Sequence, residues 1–214
     1  MVAWLLAERG LVLNIKVLIW VFVFLSVLAW SAVEPADRLT WWMEVMPALL
    51  GFAILLMTRQ RFPLTGLVYV LVLIHAVILM VGGHYTYAEV PLGDWLRDLV
   101  AGDRNNYDKL GHLAQGFIPV MIAREVMIRN NVVAARGWLG FLLVCFALAL
   151  SAFYELIEWW AALLSAEAAD AFLGTQGYVW DTQSDMFWAM SGAILALVTL
   201  SRWHDQQIRA ISTP

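Results

Sequence analysis

Three polar stretches interrupt an otherwise apolar chain, and each carries groups able to move a proton or hold a cation. They are Asn105-Asn106-Tyr107-Asp108-Lys109-Leu110-Gly111-His112-Leu113-Ala114-Gln115, then Ser151-Ala152-Phe153-Tyr154-Glu155-Leu156-Ile157-Glu158, then Trp180-Asp181-Thr182-Gln183-Ser184-Asp185. On a helix, Asp108, His112 and Gln115 fall at i, i+4 and i+7 and share one face, with Lys109 at its edge. Glu155 and Glu158 lie one turn apart, with Ser151 and Tyr154 in adjacent rows. Ionisable groups inside apolar helices are costly against lipid, so these groups are expected to face one another and the three stretches to converge on one site.

The residue types narrow the chemistry. Asp108, Glu155, Glu158, Asp181 and Asp185 stand against Lys109 and a titratable His112. So acidic a site repels a bare phosphate. It suits a divalent cation, a proton relay or a cationic substrate group. Oxygen ligands with one imidazole fit Mg, Mn or Zn, although the chain has no HExxH and no tight His pair. It also has no Gly-rich phosphate loop, serine nucleophile elbow or kinase set. The candidate catalytic groups are Asp108, His112, Glu155, Glu158 and Asp185, with Lys109, Gln115, Ser151, Tyr154 and Asp181 lining the pocket.

Structural roles compete with these assignments. Asn105, Asn106 or Asp108 can cap the helix that follows, and Asp181 or Thr182 the next one; for Asp181 capping takes precedence. His112 reads equally well as a buried histidine satisfied by Asp108. Glu155 resists a purely structural role. With no basic residue near it in sequence, it needs a proton, a partner on another helix, or water. His75, alone in an apolar stretch, reads as structural.

The elements that must position these groups follow from composition. Of 214 residues, 62% are hydrophobic and 14% charged, and the mean hydropathy is +0.74. Soluble domains are nearer half apolar and a quarter charged, so this is a membrane protein. Its 12 tryptophans suit membrane interfaces. A net charge of -4 without a basic stripe argues against nucleic acid. The expected partners are membrane lipids and a small amphiphilic ligand, with oligomeric state left open. Cys145 is the lone cysteine, which excludes an internal disulfide and a Cys-rich metal site.

The expected architecture is an all-α single domain, a bundle of six transmembrane helices spanning about 13–33, 41–57, 64–82, 107–128, 138–164 and 184–203. The first apolar run is long and contains Trp20 and Trp30, which favours an uncleaved helix over a signal peptide. Pro119 is expected to kink the fourth span. In the long connection before it, Leu92, Trp95, Leu96 and Leu99 repeat on one face and Asp94, Arg97 and Asp98 on the other. That pattern predicts a short interfacial helix opened by Pro91. With the N-terminus cytoplasmic, nine Lys and Arg residues fall inside (Arg9, Lys16, Arg59, Arg61, Arg124, Arg129, Arg136, Arg202, Arg209). Four fall outside (Arg38, Arg97, Arg104, Lys109). Both termini are therefore expected in the cytoplasm, and the three polar stretches at the outer ends of their helices.

Tyr107 to Phe117, Ala123-Arg124-Glu125, Ser151 to Trp159, and Gly174-Thr175-Gln176-Gly177 followed by Trp180 to Met186 together resemble the YjdF-like bacterial inner-membrane proteins across nearly the whole chain. More loosely, the Asp-Lys-x-x-His opening, the downstream Glu motif and the polar helix start are similar to VanZ-like proteins. Those are associated with glycopeptide-antibiotic tolerance and the cell envelope, and tend to have Gln where this chain has Glu158. The resemblance implies the bacterial inner membrane and brings no activity with it. The expected function is binding or transport of an amphiphile or envelope precursor at an acidic outward-facing pocket with a proton or cation relay. The alternative is a metal-assisted, membrane-embedded hydrolase or transferase acting on a lipid-linked headgroup.

Overall fold

Large apolar side chains point outward and many charged ones inward in the computed structural model, the inverse of a water-soluble fold. Phe22, Met57 and Val198 are more than 70% exposed, while Glu125 and His204 are fully buried. The structure describes residues 15–99, 104–164 and 179–212. The Gly174 to Gly177 motif, the loop from Ser165 and the first two residues of the expected first span lie outside the described residues.

The described elements are helical. They are α1 (Ile15–Ser31), α2 (Arg38–Thr58), α3 (Gly66–Tyr85), a 3-10 turn (Tyr87–Glu89), α4 (Pro91–Leu99), α5 (Tyr107–Arg129), α6 (Arg136–Leu164) and α7 (Asp181–Ser212). Among the described residues, four stretches are long and apolar enough to cross a membrane: Arg38–Thr58, Gly66–Tyr85, Gly137–Leu163 and Asp181–Ile211. Ile15–Ser31 is a shorter apolar helix. Helix α5 falls short on hydropathy, not length, because Asp108 and Lys109 sit at one end and Arg124, Glu125 and Arg129 at the other. It passes through Pro119 without interruption.

Caps set several boundaries. Asp37 accepts the Thr40 amide at 2.7 Å and starts α2 three residues before the expected span. That bond holds its carboxyl below the usual range, so the cap survives to more acidic pH than a free aspartate would. Thr65 caps α3. At α5, Asn106 occupies the cap position without a side-chain capping bond, its amide donating to the Arg104 carbonyl at 3.1 Å. Asn105 supplies the capping bond instead, accepting from the Tyr107 amide at 3.0 Å while its own amide donates to Val90 and Asp94. Helix α7 begins at Asp181, so that residue lies inside the helix rather than before it.

Two apolar clusters share α3. One joins α1, α2 and α3 around Phe24, Val45 and Met80, with Trp20, Phe24 and Phe52 stacked. The other joins α3, α5, α6 and α7 around Val68, Met121, Leu143 and Ala193. The most extensive interface is between α5 and α7, which run parallel. Small residues bring their backbones together. A Cβ on Gly116 would collide with the Ala189 carbonyl, and one on Gly192 with the Leu113 carbonyl. This approach places the first turns of α5 and α7 side by side.

At the other end of the same pair a buried polar clasp locks the register. Glu125 accepts from the Thr65 amide (3.0 Å) and hydroxyl (2.7 Å), from Arg129 (2.9 Å) and from His204 Nε2 (3.0 Å). Arg124 approaches His204 Nδ1 at 3.2 Å and Asp205 at 2.6 Å. Because Arg124 can only donate, His204 Nδ1 accepts and Nε2 carries the proton given to Glu125. The clasp ties the start of α3 and the ends of α5 and α7 into one unit.

Candidate functional site

The α5–α7 approach and the facing end of α6 bring the three polar stretches together. His112 Nε2 lies 3.5 Å from Asp108 Oδ1 on its own helix, 3.9 Å from Glu155 Oε1 on α6 and 4.0 Å from Asp185 Oδ2 on α7. All four side chains are at least 86% buried. On the other side of the ring, Nδ1 meets Gln115 Oε1 at 3.1 Å. An amide oxygen only accepts, so Nδ1 is the protonated nitrogen and Nε2 faces the carboxylates. The two buried histidines present Nε2 to different surroundings. His204 gives its Nε2 proton to a carboxylate, whereas the corresponding nitrogen of His112 is turned toward three carboxylates with no bond to any of them.

Several groups here have unmet bonding capacity. Glu155 Oε1, Asp185 Oδ1 and Ser151 Oγ are buried without a hydrogen-bond partner. Buried polar atoms are nearly always paired, and orphans at one place mark a site that expects something more. Glu158 completes a second set with His112 and Glu155, overlapping the set of Asp108, His112 and Asp185; ligand atoms within each set lie within 4.8 Å of one another.

Beside the cluster is a cavity of about 250 Å³ between α2, α3, α5 and α6. Glu44, Asp108, His112 and Glu158 line its polar end; Ala48, Val72, Ala76, Leu79 and Ile122 line its apolar part. Gln115 and Tyr154 also face it. Glu155 and Asp185 belong to the cluster but are not part of this wall, and Ser151 and Lys109 are likewise outside the lining. Asp181 is a rim group, held by Arg104 at 3.1 Å with about a quarter of each side chain exposed. His75, read as structural, lines the cavity.

Glu44 is the member that sequence reasoning missed. It is 5% exposed and accepts from the Tyr154 hydroxyl at 3.1 Å. Its signal was available: like Glu155 it is an acid two turns inside an apolar helix with no basic neighbour. Tyr87 was missed with better reason, since it sits in a short 3-10 turn and reaches the cavity only because Thr86 turns the chain at φ 59°. Burial pushes the Tyr87 hydroxyl well above the ordinary tyrosine range, so it stays protonated there.

The fold and this cluster define a helical membrane protein with a buried imidazole–carboxylate centre at one end of its bundle. The chain belongs to the family described as Predicted membrane protein (DUF2238), which matches residues 16–206. It is 51% identical over 183 residues to Inner membrane protein YjdF of Escherichia coli (strain K12), covering 86% of this chain and 88% of that relative. No solved structure matches it.

Proposed function

We propose that this protein is a six-span inner-membrane protein, with both termini cytoplasmic, that binds an amphiphile at an outward-facing acidic pocket. The observation carrying this reading is the cavity, with an apolar floor and Glu44, Asp108, His112 and Glu158 at one end. At about 250 Å³ it is just below the ~300–1,000 Å³ of drug-sized pockets. It therefore suits a head group or a short chain segment better than a bulky polycycle. The carboxylates favour a head that is cationic or rich in hydrogen-bond donors, and the His112 cluster beside the cavity serves as the proton or cation relay during binding or transport.

Plugging the floor tests the reading. Ala76 is 3% exposed and lines the cavity. Ala76→Phe is expected to lower the amphiphile that copurifies with the protein at least ten-fold by lipid mass spectrometry, at unchanged expression. Equal ligand content in both proteins would defeat the pocket.

Topology is tested separately. The nine-to-four distribution of Lys and Arg supports cytoplasmic termini. The exposed tryptophans Trp30, Trp42 and Trp159 at one end of the helices and Trp138 and Trp203 at the other suit the two membrane interfaces. Leu92 and Trp95 are exposed on α4, as an interfacial helix requires. Reporter fusions after Asp94 and after Asp170 are expected outside and one after Arg209 inside; an external C-terminus would overturn the arrangement.

The two overlapping imidazole–carboxylate sets favour a second reading, a metal-assisted hydrolase or transferase acting on a lipid-linked headgroup. A stoichiometric metal in the purified protein is the observation on which that reading depends.

A further inference from the structure

We propose that Asp108, His112, Glu155 and Asp185 are the ligands of one divalent first-row transition-metal ion, with His112 Nε2 at its centre and Glu158 and Gln115 supporting them. The inference deepens the site assigned above and rests on that cluster being functional; it does not depend on what occupies the adjacent cavity.

The tautomer gives the first argument. Gln115 accepts from Nδ1, which leaves Nε2 facing the carboxylates, to be occupied either by a second ring proton or by a metal ion. Three carboxylates around one ring nitrogen call for positive charge at that point, and a proton and a metal ion compete for it. Hydrogen bonding does not account for the arrangement, because separations of 3.5, 3.9 and 4.0 Å are at or beyond its limit. They are instead near the edges of a coordination shell. Ligand atoms each about 2.1 Å from a common ion at tetrahedral angles lie about 3.4 Å apart; Asp108, His112 and Asp185 already lie within 4.8 Å of one another, while Glu155, grouped with His112 and Glu158, joins that shell by swinging its side chain toward the ion.

The orphaned oxygens give the second. Glu155 Oε1 and Asp185 Oδ1 have no partner although both side chains are more than nine-tenths buried. They come from different helices, and both side chains approach His112 Nε2. A bound ion would satisfy both and offset repulsion among acids that share a poorly solvated space.

Ligand type sets the metal class. Imidazole with carboxylates suits Mn²⁺ or Zn²⁺ better than Ca²⁺ or Mg²⁺, which favour all-oxygen sets. The Gln115 contact is the usual second hydrogen bond of a metal-bound histidine, fixing ring and tautomer. Apolar walls on α3 and α5 limit water on the cavity side.

The test uses the full-length protein in detergent, stripped with chelator and titrated with Zn²⁺ and separately with Mn²⁺. One ion per chain is expected, with a rise in unfolding temperature on binding. Asp185→Asn and Glu155→Gln, on different helices, should each weaken binding at least ten-fold while eluting and melting like the wild type in chelator. His112→Gln should change the visible spectrum of a Co²⁺-loaded sample by removing the nitrogen ligand. Ala76→Phe should lose amphiphile yet keep the ion, so failure of the cavity reading and failure of the metal site are separable. No binding of either ion by the wild type, or binding unchanged in His112→Gln and Asp185→Asn, would overturn the proposal.

Discussion

Gly192→Ala is expected to remove the folded protein from the membrane, although it adds only one methyl group to a residue in an apolar helix. The new Cβ would overlap the Leu113 carbonyl, which belongs to a helical backbone and cannot rotate aside as a side chain can. The helices must part. Ordinary overpacking costs ~1–3 kcal/mol when side chains can yield, and a backbone obstacle puts this substitution at or above that range. Gly116→Ala meets the Ala189 carbonyl in the same way and should behave alike. The control is Gly140→Ala on α6, where a Cβ meets nothing within 4 Å and replaces a poor helix former with a good one. Fluorescence-detected size exclusion of solubilised membranes should give a monodisperse peak for Gly140→Ala and aggregate for the other two. A monodisperse Gly192→Ala protein would mean that α5 and α7 do not approach this closely.

That contact explains which part of the site was legible in the sequence. The grouping of Asp108 and His112 followed from helical spacing, and their meeting with Glu155 from the cost of leaving acids against lipid. Both arguments use only the chain and the membrane. Neither could supply the helix pairing, since Gly116 and Gly192 look like ordinary membrane glycines until their backbones are seen to meet. Glu44 escaped because it stands alone near the start of its span, outside the three polar stretches. Arg124 and Arg129 were read as markers of sidedness, and Glu125 only as part of the Ala123-Arg124-Glu125 motif. Their pairing with Thr65 and His204 links residues 60 to 80 positions apart, a separation at which local pattern carries no information.

The Glu125 clasp has the other large expected effect. Glu125→Leu should lower stability by ~3–5 kcal/mol, the usual result of breaking a buried ion pair from one side. The carboxylate has no exposed surface and takes bonds from Thr65, Arg129 and His204. Leucine matches its bulk but leaves the Thr65 amide and hydroxyl, the His204 Nε2 proton and one Arg129 contact unanswered together. Arg129 retains the Pro63 carbonyl at 2.5 Å and the Phe62 ring, so much of the loss falls on Thr65 and His204. Glu125→Gln should cost less, because its amide oxygen still accepts while its NH₂ meets donors on the other side. The two partners also make the effect divisible. If His204 acts through Glu125, His204→Ala in the Glu125→Leu background should cost at least 1 kcal/mol less than in the wild type, as expected for residues sharing a network. Thermal unfolding of the four purified proteins measures that coupling. Strict additivity would show that Glu125 and His204 are neighbours without a shared bond, and other contacts at this end of α7, Arg124–Asp205 and Gln207 among them, would then carry the load.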